Sequence, residues 1–428
     1  MKEVKVALLG AGTVGSAVVR LLQANAEEFN LRAGARLRVI GIAVRNLEAP
    51  RDPAIDRALL TTDAHAIIAQ ADIVIELMGG IEPAREYILA AFAAGASVVT
   101  GNKALLAEHG PELYDAAARA GVDLYYEAAV GGAVPVVYGL RESLAGDRVT
   151  HILGIVNGTT NYILDEMTTN GESFDAAVKK AQELGYAEAD PSADVDGYDA
   201  AAKCAILASL AFHTRVQLSD VHTHGIRDIT PEMIASAGRG GYVVKLVASA
   251  KRRADGIELY VGPTLIPAQH PLATVHGAYN AIVVEGEAAD RLMFYGPGAG
   301  GNPTATAVLS DLVAAAHHRV HGGLAPRELA YGELPILPPA QARSRFQLSM
   351  DVADHVGVLS EVTGTFARHN VSISGVTQES PTADHLCRLT VTTHEALQAD
   401  VEATIADLSA AAGPATVSTA SFVRVEVA

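Results

Sequence analysis

The chain has 428 residues, of which 49% are hydrophobic and 19% charged, and its 49 acidic and 32 basic residues give a formal net charge of −17. This length suggests about three domains of roughly 150 residues, and the apolar fraction excludes a disordered chain. The negative charge argues against a protein that binds nucleic acid or an anionic membrane, since both functions normally need a cationic surface. With two cysteines, no bilayer-spanning apolar run and no signal-peptide core, we expect a cytoplasmic protein.

The first third of the chain alternates short β-branched runs with alanine-rich helical stretches. Strands are predicted at Val4–Leu9, Leu37–Val44, Ile73–Met78, Ser97–Thr100 and Asp123–Glu127. Helices are predicted between them, for example at Ser16–Ala24 and Pro83–Ala94. This alternation predicts an α/β domain over residues 1–135, with a parallel sheet covered by helices on both faces.

The pattern changes beyond residue 135. Helices are predicted at Ser173–Leu184 and Asp199–Phe212, and strands at Tyr242–Ala250, Gly256–Val261 and Ala281–Glu287. Runs of helices beside runs of strands are typical of an α+β domain, which we place at residues 136–321. The segment 322–345 is rich in Pro, Gly and Ala and is predicted to be a linker.

Residues 346–428 have the pattern of a separate small domain. Its elements are predicted in the order strand, helix, strand, strand, helix and strand, at Phe346–Val352, Val358–His369, Ser372–Glu379, His385–Thr392, Leu397–Ala411 and Thr416–Val427. The order βαββαβ predicts a ferredoxin-like fold.

The segment Gly10-Ala-Gly12-Thr13-Val14-Gly15 follows the first strand directly and opens a helix. Its glycines permit a tight turn, close approach of the backbone to a pyrophosphate, and close packing of helix on strand. The helix N-terminus adds free N–H groups and partial positive charge. This segment predicts a Rossmann-like, dinucleotide-binding domain, although a glycine-rich turn of this kind also occurs without a ligand.

The second predicted strand ends at Arg45, where NAD-binding domains usually carry an acid on the ribose hydroxyl. An arginine can pair with a 2′-phosphate through its planar guanidinium group. We therefore predict a preference for NADP(H), with NAD(H) also accepted. The alternative is a solvated surface arginine.

Acidic residues cluster ahead of one lysine between Gly185 and Lys203. Asp199 and Lys203 are spaced i,i+4 and therefore lie on one face of an alanine-rich helix. An ordinary surface ion pair would have the same spacing. In a dinucleotide-binding protein, however, Lys203 could protonate the alkoxide that hydride transfer creates, and the acids Glu188 and Asp194 could help to bind a substrate ammonium group.

A second candidate lysine, Lys103, lies in the segment Gly101-Asn102-Lys103, just after a predicted strand. The carboxyl edge of an open parallel sheet is where ligands bind, although a solvated loop lysine would fit this position equally well.

These motifs resemble those of homoserine dehydrogenases, in the longer form with a C-terminal ACT domain, over essentially the whole chain. The most specific match is Glu188-Ala-Asp-Pro-x-x-Asp194-Val-x-Gly-x-Asp199-x-x-x-Lys203. The segment around Lys103 and the sequence Asn-Gly-Thr-Thr-Asn at 157–161 also match.

The resemblance implies interconversion of L-aspartate 4-semialdehyde and L-homoserine, on the route to threonine, methionine and isoleucine. It implies that Lys203 is the catalytic acid/base and that Lys103 is a second functional lysine near nicotinamide and substrate. Glu188 and Asp199 would bind the substrate, with Asp194 in support. Because the reverse reaction needs a neutral amine, we expect homoserine oxidation to improve at alkaline pH.

The resemblance further implies a monovalent cation, sodium or potassium, on a loop whose backbone carbonyls hold it: those of Glu127, Val130, Gly132 and Val134. It implies that a segment near 296–320 returns to complete the cofactor-binding domain. The candidate cofactor contacts outside the first turn are Lys103, Gly185 and Gly300.

The C-terminal segment resembles an ACT domain through Asp354-His-Val-Gly357 and Asn370-Val-Ser-Ile373. This implies a sensor of amino acids, with threonine as the expected effector, in a homodimer or homotetramer whose dimer contacts lie in the middle domain. Two other readings stay open from the sequence: an amino-acid dehydrogenase that acts directly on aspartate, and a non-catalytic module that senses nucleotide and amino acid.

Overall fold

The N-terminal part of the computed structural model is a parallel sheet between two helical layers. The structure describes residues 1–332, 334–379, 386–410 and 420–426. The strands here are β1 (Lys2–Leu9), β2 (Ala35–Ala43), β3 (Leu60–Thr61), β4 (Ile73–Glu76), β5 (Ser97–Thr100) and β6 (Leu124–Tyr125). The helices are α1 (Thr13–Ala24), α2 (Ala26–Ala33), α3 (Ala64–Ile68), α4 (Ala84–Ala93) and α5 (Lys103–Ala120).

The strand order is β3-β2-β1-β4-β5-β6, and every pairing is parallel. The order reverses between β1 and β4, so a crevice opens at the carboxyl ends of these two strands, where dinucleotides bind in such sheets. The predicted α/β Rossmann-like fold is confirmed.

The middle part is a mainly antiparallel sheet with helices on one face. Its helices are α6 (Val136–Tyr138), α7 (Gly158–Asn170), α8 (Phe174–Glu183), α9 (Ser192–Val195), α10 (Tyr198–Phe212), α11 (Pro231–Arg239) and α12 (Gly301–His321). Its strands are β7 (Val149–Ile155), β8 (His222–Thr223), β9 (Tyr242–Arg252), β10 (Ile257–Pro267), β11 (Tyr279–Gly286) and β12 (Asp290–Pro297). Among the described strands of this part, only the short strand β8 pairs in parallel, with β10. The long helix α12 carries the chain back to α1, where a Cβ atom on Gly301 would lie 3.2 Å from the Thr13 methyl carbon.

Helix α10 is the central helix of this part. Nearly all of its residues are buried, from Asp199 to Phe212, and it packs against β9 and α5. Small side chains such as Ala201 and Ala205 allow this close packing, because they fill little space between the helix axis and its neighbours.

The C-terminal part has the predicted ferredoxin-like order, and the presence of an ACT domain is confirmed. Its elements are β13 (Arg343–Ala353), α13 (Val358–Arg368), β14 (Ile373–Gln378), β15 (Leu386–Thr393), β16 (Ala396–Leu397), α14 (Gln398–Ala410) and β17 (Ala420–Val425). Residue 385 of the predicted third strand, residue 411 of the second helix and residues 416–419 and 427 of the last strand lie outside the described residues.

Two features near the linker differ from the sequence prediction. Strand β13 begins at Arg343 instead of Phe346, because residues ahead of Phe346 pair with β16 and β17. The segment before it is also attached to the middle part, since the Gly332 N–H donates to the His213 carbonyl at 2.7 Å and the Leu337 N–H to Ile257 at 2.9 Å.

The sheets of the middle and C-terminal parts are continuous. Strands β10 and β17 pair in parallel, with Thr264 opposite Arg424 and Leu265 opposite Val425. The sequence analysis predicted a separate small C-terminal domain and gave no sign of this pairing, since pairing between distant strands leaves no local signal. Among the described residues, we find no helix with the length and apolar character needed to cross a membrane.

Candidate active site

The centre of the candidate site is the carboxylate of Asp199, which lies between two lysines. Its Oδ1 atom is 2.6 Å from the Lys103 Nζ atom, and its Oδ2 atom is 2.8 Å from the Lys203 Nζ atom. Lys203 also donates to the Val156 carbonyl at 2.7 Å. The structure thus brings together residues that the sequence suggested separately, from α5 of the N-terminal part and α10 of the middle part.

Local structure explains how each lysine reaches the carboxylate. Lys103 is the first residue of α5, and the Asn102 side chain caps this helix by accepting a hydrogen bond from the Leu105 N–H at 3.2 Å. Asp199 and Lys203 lie one turn apart on α10. The Lys103 side chain is 45% exposed and that of Lys203 only 10%, so Lys103 is open to solvent and Lys203 lies at the buried end of the site.

Asn157 organises the acidic side of the site. Its Nδ2 group donates to Asp194 at 2.6 Å and to Asp199 at 2.8 Å, while its Oδ1 atom accepts from the Thr160 N–H at 2.8 Å and so caps α7. The sequence analysis used Asn157 only as part of a motif and missed this bridging position. A local signal existed, because an asparagine between a strand and a helix is a strong N-cap candidate.

The two lysines determine the ionisation of Asp199. Burial opposes the charged form, but the ammonium groups of Lys203 and Lys103 outweigh it and hold the pKa of Asp199 well below its usual value. Burial likewise disfavours the Lys103 ammonium, yet the charge and hydrogen bond of Asp199 raise the pKa of Lys103 above its usual value. The Asp199 carboxylate and the Lys103 ammonium are therefore both charged near neutral pH.

Glu188 lies at the open side of the site. It is exposed, and its negative charge adds to that of Asp194 in raising the pKa of Lys103. No cation in the described part of the chain lies within ion-pair distance of Glu188, whereas Asp199 is already paired. Its carboxylate is therefore available to a charged ligand.

The glycine-rich turn has the shape that a dinucleotide needs. Gly10 has a φ of +100°, and a Cβ atom there would lie 2.7 Å from the Leu77 carbonyl oxygen. A Cβ atom on Gly15 would lie 2.2 Å from the Gly10 oxygen, so this glycine permits the contact between α1 and β1. At Gly12 a Cβ atom would meet nothing within 4 Å, which leaves open space beside the first turn of α1.

Two helix N-termini meet near this turn. Helix α1, whose first residues are Thr13 and Val14, and helix α12, which follows Gly300, both lack a side-chain cap. Their free N–H groups and partial positive charge suit a pyrophosphate, so the residues present fit a nicotinamide dinucleotide. Gly185 lies in an exposed loop after α8 with a φ of +76°, and its contact with the cofactor stays a prediction.

Arg45 is exposed after β2, and no other described residue pairs with its side chain. Arg51, which the sequence analysis missed, lies beside it. Its guanidinium donates to the Ala11 carbonyl of the glycine-rich turn at 3.1 Å and to the Asn46 carbonyl at 3.0 Å, and its buried Nε has no partner among the described residues. No motif marked Arg51, because its contact with the turn arises only in three dimensions.

The predicted cation loop is buried beside the returning segment. A Cβ atom on Gly132 would lie 2.6 Å from the Gly298 carbonyl, and Gly132 has a φ of +59°. Within the described residues, no donor reaches the main-chain oxygens of Val130 and Gly132. Burial raises the pKa of the Glu127 carboxyl to about 7, and this carboxyl accepts hydrogen bonds from the Val137 and Tyr138 N–H groups. Buried carbonyl oxygens of this kind fit a hard monovalent cation.

Comparison with known proteins gives three matches in chain order. Family profiles described as "Homoserine dehydrogenase, NAD binding domain", "Homoserine dehydrogenase" and "ACT domain" match residues 10–127, 135–313 and 346–413. The homoserine dehydrogenase of Corynebacterium glutamicum is 51% identical over 414 residues, which cover 95% of this chain and 92% of that protein.

Solved structures of homoserine dehydrogenases are also similar to this chain. A homoserine dehydrogenase from Thiobacillus denitrificans superposes with a TM-score of 0.93 at 40% identity, covering 100% of this chain and 99% of that one. A hyperthermophilic archaeal homoserine dehydrogenase in complex with NADPH has a TM-score of 0.62 at 27% identity, covering 73% of this chain and 97% of that one.

Two glycines of the glycine-rich turn allow a test of the cofactor site, with Gly15 for stability and Gly12 for binding. Gly15→Ala forces a methyl group into the Gly10 backbone and should lower the free energy of unfolding in urea by about 1–3 kcal/mol. The methyl group of Gly12→Ala fits into open space in the free protein, so this variant should have the same free energy of unfolding as wild type. It should nevertheless weaken NADPH binding, measured by NADPH fluorescence, at least tenfold, because the methyl group occupies the space beside the α1 N-terminus. Unchanged NADPH affinity of Gly12→Ala would contradict this placement of the cofactor.

Proposed function

Since the chain belongs to the homoserine dehydrogenase family and is an NAD(P)-dependent oxidoreductase, we propose that its site interconverts L-aspartate 4-semialdehyde and L-homoserine for threonine, methionine and isoleucine biosynthesis. The observation that carries this proposal is the Asp199 carboxylate held between Lys103 and Lys203 at the edge of the cofactor-binding sheet. The substrate is a small amino acid with an ammonium group and a carboxylate, which suits a site with both signs of charge.

When bound, the nicotinamide dinucleotide supplies or accepts the hydride. Lys203 uses two of its three N–H groups on Asp199 and the Val156 carbonyl, which leaves one for the substrate oxygen. In reduction this ammonium protonates the oxygen of the former aldehyde, and in oxidation the neutral amine takes the hydroxyl proton. Lys103, which is more exposed, lies beside it and stabilises negative charge on the same substrate.

Substrate orientation depends on the acids. Oδ2 of Asp199 already accepts from Lys203 and Asn157, while Oδ1 accepts from Lys103 alone among the described residues and retains a lone pair. Together with the unpaired Glu188 carboxylate, it can hold the substrate ammonium. Asp194 supports this arrangement through Asn157, which it shares with Asp199.

A monovalent cation, sodium or potassium, would be held by the main-chain carbonyls of Glu127, Val130, Gly132 and Val134. Its positive charge would fix the loop that lies against the returning segment near Gly298. NADP(H) is the preferred cofactor in this proposal, and NAD(H) the secondary one, on the grounds of the exposed Arg45 and the neighbouring Arg51.

We also propose threonine as an effector that acts through the ACT domain, in a cytoplasmic homodimer or homotetramer. The ACT turn supports ligand access, since Gly357 has a φ of +100° and leaves α13 without a side-chain cap. Adding threonine to the assay described below measures the effect of threonine on the rate directly.

We also propose a division of the chain into four segments. Residues 1–135, with a returning segment near 296–320, bind the cofactor, residues 136–321 form the middle domain, residues 322–345 are a linker, and residues 346–428 form the ACT domain.

The activity is tested by following nicotinamide absorbance with L-homoserine and NADP. Lys203→Ala should lower kcat by about 10²–10⁴-fold, the usual contribution of general acid–base catalysis, while NADPH binding stays intact. Lys179→Ala serves as the control, because it also removes a lysine from an i,i+4 ion pair, but one that is exposed. A rise in KM alone would make Lys203 a binding residue. Turnover of oxaloacetate with ammonia, and not of homoserine, would favour the aspartate-directed alternative.

The pH dependence of homoserine oxidation follows from the charge of Asp199. Oxidation needs a neutral amine beside Asp199, and the Asp199 charge raises the pKa of Lys103 there, so the rate should increase at alkaline pH. Asp199→Asn removes the charge, so the basic limb of the kcat profile should move to lower pH by about one unit or more. Asp196→Asn, which breaks a surface pair with Arg227, should leave the limb in place. If the basic limb of the kcat profile lay at the same pH in wild type and in Asp199→Asn, the proposed effect of the Asp199 charge would be refuted.

Cofactor preference is tested at Arg45. If its guanidinium pairs with a 2′-phosphate, Arg45→Ala should raise KM for NADPH at least about tenfold and leave KM for NADH nearly unchanged, since one charge-assisted hydrogen bond contributes about 1.5–3 kcal/mol. Arg36→Ala, an exposed arginine at the other end of β2, is the control. Equal changes for both cofactors in Arg45→Ala would make Arg45 a surface residue without selectivity.

A further inference from the structure

A cavity of about 200 Å³ lies where the sheet of the middle part meets the C-terminal domain. Strands β9 and β10 form one wall, and the beginning of β13 and the end of β17 form the other. It shares no lining residue with the Asp199 site, because it opens at the β10–β17 joint and not at the carboxyl edge of the parallel sheet. Its volume is below the roughly 300–1,000 Å³ of pockets for drug-sized ligands and suits a small metabolite.

The lining of this cavity is cationic in a strongly acidic chain. Five cationic side chains and three carboxylates face it, whereas the whole chain has a net charge of −17. Two of the carboxylates are already paired, because Glu258 contacts Arg424 and Arg253, and Glu395 contacts Arg253. The lining therefore has two more cationic side chains than carboxylates.

Three cations of the lining lack an acidic partner. For Lys251, Arg343 and Arg345, no carboxylate within the described ranges lies at ion-pair distance, although all three line the same cavity. Like charges held together in a cleft with low-dielectric walls repel one another and concentrate the field on an anion. The lining thus carries a net positive charge that an anionic ligand would relieve.

One lining residue, Arg424, is held by several side-chain contacts. Arg424 is only 6% exposed, lies 3.8 Å from the Tyr260 ring centroid, and donates to Glu258 at 2.9 Å and to Gln398 at 2.7 Å. Its Nε group is buried and has no partner among the described residues. A buried guanidinium with a free donor beside a cavity is a preorganised feature for an oxyanion.

We propose that this cavity is a binding site for a small oxyanion with at least two negative charges, a di- or tricarboxylate or a phosphate. Lys251 would contact it from the middle part, and Arg343 and Arg345 from the C-terminal domain, so the anion bridges the two. Because β10 and β17 share one sheet at this point, such a ligand stabilises the joint between the catalytic part and the ACT domain.

The test is calorimetric titration of the full chain, saturated with NADPH so that the glycine-rich turn is occupied. Citrate and inorganic phosphate are titrated separately at constant ionic strength, since added salt screens charges by itself. The test variant is Lys251→Ala/Arg345→Ala, which truncates the half-buried and exposed cations and leaves the Glu258–Arg424 pair intact. The matched control is Lys5→Ala/Arg36→Ala, a lysine and an arginine that are exposed on β1 and β2.

We expect saturable binding of one anion per chain in wild type and in the control. In the test variant the dissociation constant should rise at least tenfold. Preference for citrate would identify a carboxylate ligand, and preference for phosphate a phosphate ligand. Absence of saturable binding by either anion, or equal affinity in the test variant and wild type, would overturn the proposal. Since the readout is binding and not turnover, neither result bears on the dehydrogenase proposal.

Discussion

The arrangement of Lys103 and Lys203 depends on the ion pairs that both lysines form with the Asp199 carboxylate. Removing a carboxylate from water costs several kcal/mol unless opposite charges and hydrogen bonds replace the lost hydration. Lys103, Lys203 and Asn157 supply them from three different elements, so the carboxylate is stable in its charged form only when α5, α7 and α10 are packed together. The same contact that compensates the buried charge therefore fixes the two lysines relative to each other.

The position of this carboxylate also follows from the topology of the parallel sheet. Lys103 comes directly after β5, and the glycine-rich turn comes directly after β1, so both lie at the carboxyl edge of one sheet. Helix α12 then returns and places the turn at Gly300 beside α1. One edge thereby brings free helix N–H groups and ammonium groups together. In the proposed reaction the N–H groups would meet a phosphate and the ammonium groups a substrate oxygen, which separates cofactor binding from proton transfer.

Local patterns predicted the α/β alternation, the ferredoxin-like order and the charged residues around Asp199, although strands β7 and β12 were not predicted. Strand–helix alternation, the i,i+4 spacing of Asp199 and Lys203, and the position of Lys103 after a strand are all properties of neighbouring residues. The sequence could not predict that Asn157 contacts two carboxylates, that Arg51 reaches the Ala11 carbonyl, or that β17 joins β10. Each of these contacts joins residues far apart in the chain, and their formation depends on packing between elements and not on local propensity.

The joint between the two sheets bears on how the ACT domain can affect catalysis. Strand β17 pairs with β10, β10 pairs with β9, and β9 packs against α10, the helix that carries Asp199 and Lys203. Contact between neighbouring elements is not sufficient to couple two sites. Coupling requires an element with two arrangements, and both sites must change the equilibrium between these arrangements. The parallel β10–β17 pairing covers only two residue pairs and is the least extensive link in this chain of contacts. A change in the ACT domain that opened or closed it would alter the support behind α10 without touching the substrate.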